Sequence, residues 1–320
     1  MNLNFTFAVV SDLHIALPHT IWDAPNRFHL VEVSIPAFEQ ILRQLEANPP
    51  DFLLLPGDLV QHGERANHEW MANRLAQLPF PTYVVPGNHD VVRQWGNLPS
   101  DAAGKDRIAL ADFPQLYQSF GYADGKQLYY QTEILPGVHL IGLNSNAFDE
   151  TGEQIGTGFI DAPELVSRLQ AAGVPVAFTG HLHVQDIAES ENFYAITTGS
   201  LVSYPHPYRM MSVTTDDQGR QHLRVKTERI ESVPDWPTLQ QTSKDWMGDR
   251  SFPFIVRLLS EPPLSLSLKQ AKNYATDIRD FWATVAAGDA SFHYPQLPEA
   301  AQQYFAQYDA TCPAGKPRFI

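Results

Sequence analysis

Gly87-Asn88-His89-Asp90 sets an amide, an imidazole and a carboxylate side by side, directly after the apolar run Tyr83-Val84-Val85 and Pro86. Three further apolar runs end in the same way. Phe5-Thr6-Phe7-Ala8-Val9-Val10 leads into Ser11-Asp12-Leu13-His14, Phe52-Leu53-Leu54-Leu55 into Pro56-Gly57-Asp58, and Val176-Ala177-Phe178 into Thr179-Gly180-His181-Leu182-His183. Asp, Asn and His offer oxygen and nitrogen donors suited to Mn, Fe or Zn, with no thiolate competing among them. An Asp-x-His or His-x-His pair on extended backbone projects both side chains to one face, and Asp58 is a carboxylate able to bridge two cations. Two such ions about 3.5–4 Å apart clamp a phosphate and turn water into a nucleophile at neutral pH.

The elements that must position these groups follow from periodicity. A strand over about Phe5 to Val10 is followed by a polar, proline-containing loop from Ser11 to Leu30. A helix then starts near Ser34, with Ser34 as the expected N-cap and Pro36 in the first turn, and Ile35, Phe38, Ile41, Leu42 and Leu45 form one face. Phe52 to Leu55 reads as a buried parallel strand, about Asn67 to Leu78 as a second helix, and Thr82 to Val85 as a third strand. This β, α, β, α, β order is the signature of a parallel layer covered by helices. Little is assigned from Val91 to Gly125. Strands return at Gln127 to Ile134 and His139 to Leu143 around a Pro136-Gly137 turn, as an antiparallel pair. Asn146 to Ile160 is glycine-rich loop, and a helix capped by Asp161 ends at Gly173. Val176 to Phe178, Phe193 to Thr197, Met210 to Thr215 and Leu223 to Ile230 form a second run of strands. Two strand runs imply two facing sheets.

Past Val233 the texture changes to helical spacing over Phe252 to Leu259, Leu266 to Ala286 and Pro298 to Tyr308. The expected organisation is a domain over 1–232 and a C-terminal helical extension over 233–320. The apolar faces of that extension exceed what one surface helix needs, so it is expected to pack across the rim of the site or to form a homodimer contact.

The bulk numbers bound the function classes. With 320 residues, 43% hydrophobic and 18% charged, the chain has length for a sizeable core and resembles neither a disordered nor a membrane-spanning protein. A formal net charge of −14 argues against charge-driven binding to nucleic acid or an anionic membrane. Cys312 is the one cysteine, so no intrachain disulfide forms. Met1-Asn2-Leu3-Asn4 carries no basic leader, and a cytoplasmic enzyme is the expectation.

Asp12-x-His14, Gly57-Asp58, Gly87-Asn88-His89-Asp90 and Gly180-His181-x-His183, in that order and each after a strand, resemble the calcineurin-like metallophosphoesterases, closest in look to the bacterial cyclic-nucleotide phosphodiesterase branch. The resemblance covers roughly Phe5 to Ser200. It implies an α/β fold, a four-layer α/β/β/α sandwich of two facing mixed sheets. It implies two metal ions (Mn, Fe or Zn), one bound by Asp12, His14, Asp58 and His183, the second by Asp58, Asn88 and His181. It further implies that His89 contacts the phosphate and protonates the leaving oxygen or steadies the transition state, while metal-bound hydroxide attacks phosphorus in line without a phosphoenzyme. The implied activity is that of a hydrolase acting on a small-molecule phosphate ester, a diester such as a cyclic nucleotide. A phosphoprotein phosphatase fits less well, because Asp58 continues as Leu59-Val60-Gln61-His62-Gly63 and not Asp-Arg-Gly.

The family pattern has one more ligand for the second metal, a histidine upstream of Gly180-His181-x-His183, and no histidine lies between Leu143 and Val174. Fewer protein ligands plus water, a histidine from elsewhere, or a deleted segment would each account for this. The absence also leaves open a non-catalytic binding or scaffold protein that keeps the fold. His62, four residues past Asp58, and His206, in Tyr204-Pro205-His206-Pro207, are placed to lie near the rim, and Arg209 suits a phosphate, a base or a surface ion pair. His19, His29, His68, His139, His222 and His293 have no spacing that recommends them. Trp236, Trp246 and Trp282 read as packing residues.

Overall fold

A computed structural model describes residues 2–22, 27–90, 106–148, 154–156, 162–190, 192–288 and 290–309. The first half alternates strand and helix as its periodicity demands: β1 (Asn4–Val9), α1 (Ser34–Ala47), β2 (Phe52–Pro56), α2 (Arg65–Leu75) and β3 (Thr82–Val85). Next come a short α3 (Phe113–Leu116), the antiparallel pair β4 (Tyr130–Leu135) and β5 (Val138–Gly142), the small pair β6 (Ala147–Phe148) and β7 (Gln154–Gly156), and α4 (Ala162–Ala171). β8 (Val176–Thr179), β9 (Asp186–Ser190), β10 (Phe193–Thr197), β11 (Pro207–Thr215) and β12 (Gln221–Arg229) follow. The tail is α5 (Leu239–Ser260), α6 (Leu268–Asp277), α7 (Phe281–Ala287) and α8 (Glu299–Ala306). Cys312, Asp161 and residues 158–160 lie outside the described residues.

The strands form a five-stranded mixed sheet, β12-β11-β1-β2-β3, a three-stranded mixed sheet, β8-β10-β9, and the two short pairs. Alternation along β1 and β2 divides their side chains between two cores. Ala8, Leu53 and Leu55 join Phe38, Ile41 and Leu42 of α1 on one face. Phe5, Phe7, Val9, Phe52 and Leu54 face Ile196 of β10, Phe178 of β8 and Leu140 of β5 on the other. The chain is thus mixed α/β with helix, sheet and sheet stacked in turn. Where a fourth, outer helical layer is expected, the apolar residues Leu165, Val166 and Leu169 of α4 are only half-buried.

Three local expectations are corrected. Ser34 is the first residue of α1 and not its N-cap; its hydroxyl accepts a hydrogen bond from the Ala16 backbone N–H at 3.1 Å, tying the ligand loop to the helix. β9 was absent from the expected strands, being a short, largely exposed edge strand with little apolar signal. α5 begins 13 residues before Phe252 and runs through Pro253. Leu239, Met247 and Ile255 are buried along it, and that packing outweighs the helix-breaking residues Gly248 and Pro253.

The apolar surplus of the tail closes largely on itself within one chain: Ile255, Leu259, Ala271, Phe281 and Phe305 share one core. No helix among the described residues is long and apolar enough to cross a membrane.

Two buried histidines outside the site make stability depend on pH. His68 in α2 sits 2.8 Å from the Tyr117 hydroxyl and 2.9 Å from the Asp90 carbonyl, and His206 donates to the Leu201 carbonyl at 2.8 Å. Burial pushes both down from 6.5 to about 4. Between those values the unfolded chain binds protons that the folded chain does not, so stability falls as pH drops below about 6.5. At pH 5 each histidine is expected to cost about 2 kcal/mol. Urea unfolding at pH 7 and pH 5 checks this, and His68→Gln is expected to shrink the pH difference by about 2 kcal/mol.

Candidate metal centre

The parallel pairing of β1 and β2 continues past the strands into the ligand loops. Asp12 N–H donates to the Gly57 carbonyl at 3.3 Å, His14 N–H to Asp58 at 2.9 Å and Ile15 N–H to Leu59 at 2.9 Å. The contribution of β8 comes from the second sheet, so the site collects where strand ends of two sheets meet, joined by the Ser11–Ser200 bridge and the Thr198–Thr179 hydrogen bond. Strand alternation, expected to put each Asp-x-His or His-x-His pair on one face, is not what aims these side chains. Asp12, His14, Asp58, His181 and His183 all have left-handed backbone, with φ of 49°, 44°, 46°, 76° and 55°. Such residues are uncommon outside glycine and cost on the order of 1–3 kcal/mol each, and their concentration here marks strain held at one place.

Two glycines permit the crowding. A Cβ on Gly87 would overlap the Asp58 backbone nitrogen and carboxylate, and one on Gly180 would overlap Ser11 Oγ and the Asp12 carboxylate. Gly180→Ala is therefore expected to displace Asp12, lowering metal affinity at least about tenfold by calorimetry and stability by about 1–3 kcal/mol.

Asp12, His14, Asp58 and His183 each bring a ligand atom within 4.8 Å of all the others. His14 Nε2 lies 3.4 Å from His183 Nε2 and 3.8 Å from Asp58 Oδ2, and His183 Nε2 lies 3.6 Å from Asp12 Oδ1. Asp12 is fixed from three sides. Its Oδ2 accepts from Ser11 Oγ at 2.8 Å, its carboxylate accepts from His181 N–H at 3.0 and 3.1 Å, and its carbonyl accepts from Ser200 Oγ at 2.8 Å. Burial pushes the Asp58 carboxyl up, with the Asp12 charge adding to it although His89 opposes. Burial also pushes His14 well down, reinforced by His29, His89 and His183. For His183 burial works against the proton, but the Asp12 carboxylate prevails and its pKa rises. A divalent cation among these atoms relieves the carboxylate repulsion and takes up the neutral imidazoles. The donor set fits Mn, Fe or Zn.

Beside this group, His181 Nδ1 lies 2.9 Å from Asn88 Oδ1. Asp58 Oδ1 accepts from the His89 backbone N–H at 2.8 Å, which ties the group of four to the segment that carries Asn88. The His89 Nδ1–H donates to the Gln61 carbonyl at 2.7 Å, which leaves Nε2 for proton transfer. His62 stacks on the His89 ring at 5.1 Å and 28°, with the two Nδ1 atoms 3.3 Å apart. Asp90 receives N–H groups from Val60 at 2.9 Å and Gly87 at 2.8 Å, bracing the loops after β2 and β3.

Two of the residues placed near the rim are buried. His206 is fully buried on the Leu201 carbonyl and belongs to none of the ligand groups. Arg209, 4% exposed, reaches the carbonyls of Asp186 and Thr197 and ties the two sheets together; it is no surface ion pair. Conversely, His29 carried no motif or spacing, yet its ring lies 4.5 Å from that of His14 and 4.4 Å from that of His183, and the three form a second possible ligand group. The loop before a short 3-10 turn at Val31–Val33 delivers it, through Leu30 N–H on the Val202 carbonyl at 2.8 Å.

A fold that gathers Asp, Asn and His from two sheets around one buried carboxylate defines a metallophosphoesterase. A family model described as calcineurin-like phosphoesterase matches residues 5–185, more than half of the chain, and the protein belongs to that family. It is 36% identical over 95 residues to a protein of Moraxella catarrhalis named "probable cyclic nucleotide phosphodiesterase", covering 29% of this chain and 31% of that one. A Synechococcus protein with the same description is 28% identical over 88 residues, covering 28% and 32%. The matched stretch thus spans about a third of these curated relatives. Among solved structures, a dimetal phosphatase from Danio rerio aligns with a TM-score of 0.44 and 13% identity, covering 70% of this chain and 96% of that one.

Proposed function

We propose that the protein is a metal-dependent phosphodiesterase holding two divalent ions. The observation that carries this reading is the convergence of Asp12, His14, Asp58 and His183 on one point, beside the Asn88 and His181 pair. The first four would hold one ion, and Asp58, Asn88 and His181 the second; ions held there would supply charge neutralisation for the phosphate and a lowered pKa for water. The chain's own residues do the rest. Asp58 spans both positions, and Ser11, Ser200 and the His181 backbone keep Asp12 from rotating away. His89, with its Nδ1 proton fixed on Gln61 and its ring backed by His62, presents Nε2 to the leaving oxygen. Residues 1–232 form the catalytic domain and 233–320 the helical extension. Diester preference, with a cyclic nucleotide as one member of that class, takes its support from the names of the two curated relatives.

The missing histidine between Leu143 and Val174 favours a second reading, a binding protein without turnover. Hydrolysis of bis(p-nitrophenyl) phosphate with Mn, Fe or Zn decides between them. Activity abolished by chelation supports the enzyme; no turnover with any of the three supports the binding protein.

A further inference from the structure

We propose that a cavity between the metal centre and the C-terminal helices is a subsite for an apolar ester group of the substrate, an alkyl or acyl chain in preference to a nucleobase. This deepens the phosphodiesterase reading and rests on it. The cavity measures about 260 Å³ and runs from His29 and His183 to Met247 and Phe254 of α5 and Trp282 and Val285 of α7. His183 belongs to the candidate ligand set, so the cavity borders the candidate metal centre.

Its chemistry is one-sided. Apolar side chains from four separate segments form nearly all of the wall, and two large apolar residues stand exposed at its edge: Leu182, at 72%, and Phe28, at 37%. Leu182 stands between the two histidines of the His-x-His pair, where an apolar side chain in water has no packing role. An apolar guest laid along it would remove that surface from water. Away from the His29 and His183 imidazoles at the metal-centre end, the polar side-chain groups of the wall are few, the Ser203 hydroxyl and the Trp282 indole N–H, both buried. One hydroxyl and one N–H are fewer than a purine or pyrimidine edge requires, and a base placed here would leave donors and acceptors unpaired. An alkyl or acyl chain carries no such groups. The size suits a substituent smaller than a whole drug-sized ligand, which is what one arm of a diester is. The arrangement also gives the tail a task, and it moves Trp282 from packing residue to wall of the subsite.

The test is a series of alkyl p-nitrophenyl phosphates, from methyl to hexyl, with the Mn-loaded full-length protein. The leaving group is constant, so differences report the alkyl arm. At about 0.8 kcal/mol for each methylene fully buried, and with half of that realised, kcat/KM is expected to rise about thirtyfold from methyl to hexyl. Val285→Phe, which fills the cavity from α7, and Leu182→Ser, at an exposed position, are each expected to reduce the hexyl-to-methyl ratio at least about threefold. Binding is read separately by calorimetry with methylphosphonate and hexylphosphonate, where hexyl is expected to bind at least about tenfold more tightly. Equal kcat/KM across the series with equal phosphonate affinity overturns the subsite and leaves the phosphodiesterase standing. So does hydrolysis of 3′,5′-cyclic AMP with a higher kcat/KM than the hexyl ester. Tight hexylphosphonate binding without hydrolysis of any ester supports the subsite while removing the enzymatic reading.

Discussion

Asp58→Asn is expected to abolish the stabilisation of the fold by metal while leaving the protein folded. Asp58 is shared by both proposed ion positions, and its carboxylate sits buried beside Asp12 and near Asp90 with a raised pKa. Asparagine keeps an oxygen for the His89 N–H and the shape of the side chain, but it removes one of the two acidic ligands of the first ion and the only acidic ligand proposed for the second. A ligand at about a thousand times its Kd stabilises a native state by about 4 kcal/mol. Thermal unfolding with and without excess Mn should show that increment in the native protein and almost none in the variant, whose unliganded form should be no less stable because a buried charge repulsion has gone. A variant that retains the full shift would place the ions elsewhere.

The second large effect concerns His89. Its Nδ1 is committed to the Gln61 carbonyl and its ring is sandwiched by His62 and the edge of His14, so it is oriented without taking part in the ligand cluster. His89→Ala is expected to lower kcat by about 10²–10⁴ while metal stoichiometry and affinity stay the same. Loss of bound metal in that variant would make His89 a ligand and overturn its assignment as proton donor. His62→Ala, which removes the stacked ring but no proposed proton, should lower kcat by a smaller factor.

The contrast between what the residues announced and what folding arranged is physical. β1, β2 and β3 are apolar runs that stop abruptly, β1 at Ser11 and the other two at a Pro-Gly pair, so they and the polar groups after them could be read directly. His29 could not. It ends no strand, belongs to no motif, and reaches His14 and His183 only because the loop before α1 folds back over the site. Arg209 misled for the opposite reason: a lone cation near the motifs suggested phosphate, whereas burial between strands left it bonding to backbone carbonyls. The left-handed backbone at five site residues leaves no trace in hydrophobic periodicity, since it is imposed by tertiary crowding around Gly87 and Gly180.

The loop that follows His183 is anchored at its far end by Gln185, whose backbone N–H donates to the Ala286 carbonyl of α7 at 3.2 Å, and whose carbonyl sits so close to Gly288 that a Cβ there would overlap it. Ion occupancy and docking of the tail are therefore reciprocal: whatever one does to the other's free energy is returned in equal measure. Adding Mn should slow hydrogen exchange in α7, far along the chain from His183, and a Gly288→Ala protein, with α7 levered off that carbonyl, should release the ion faster.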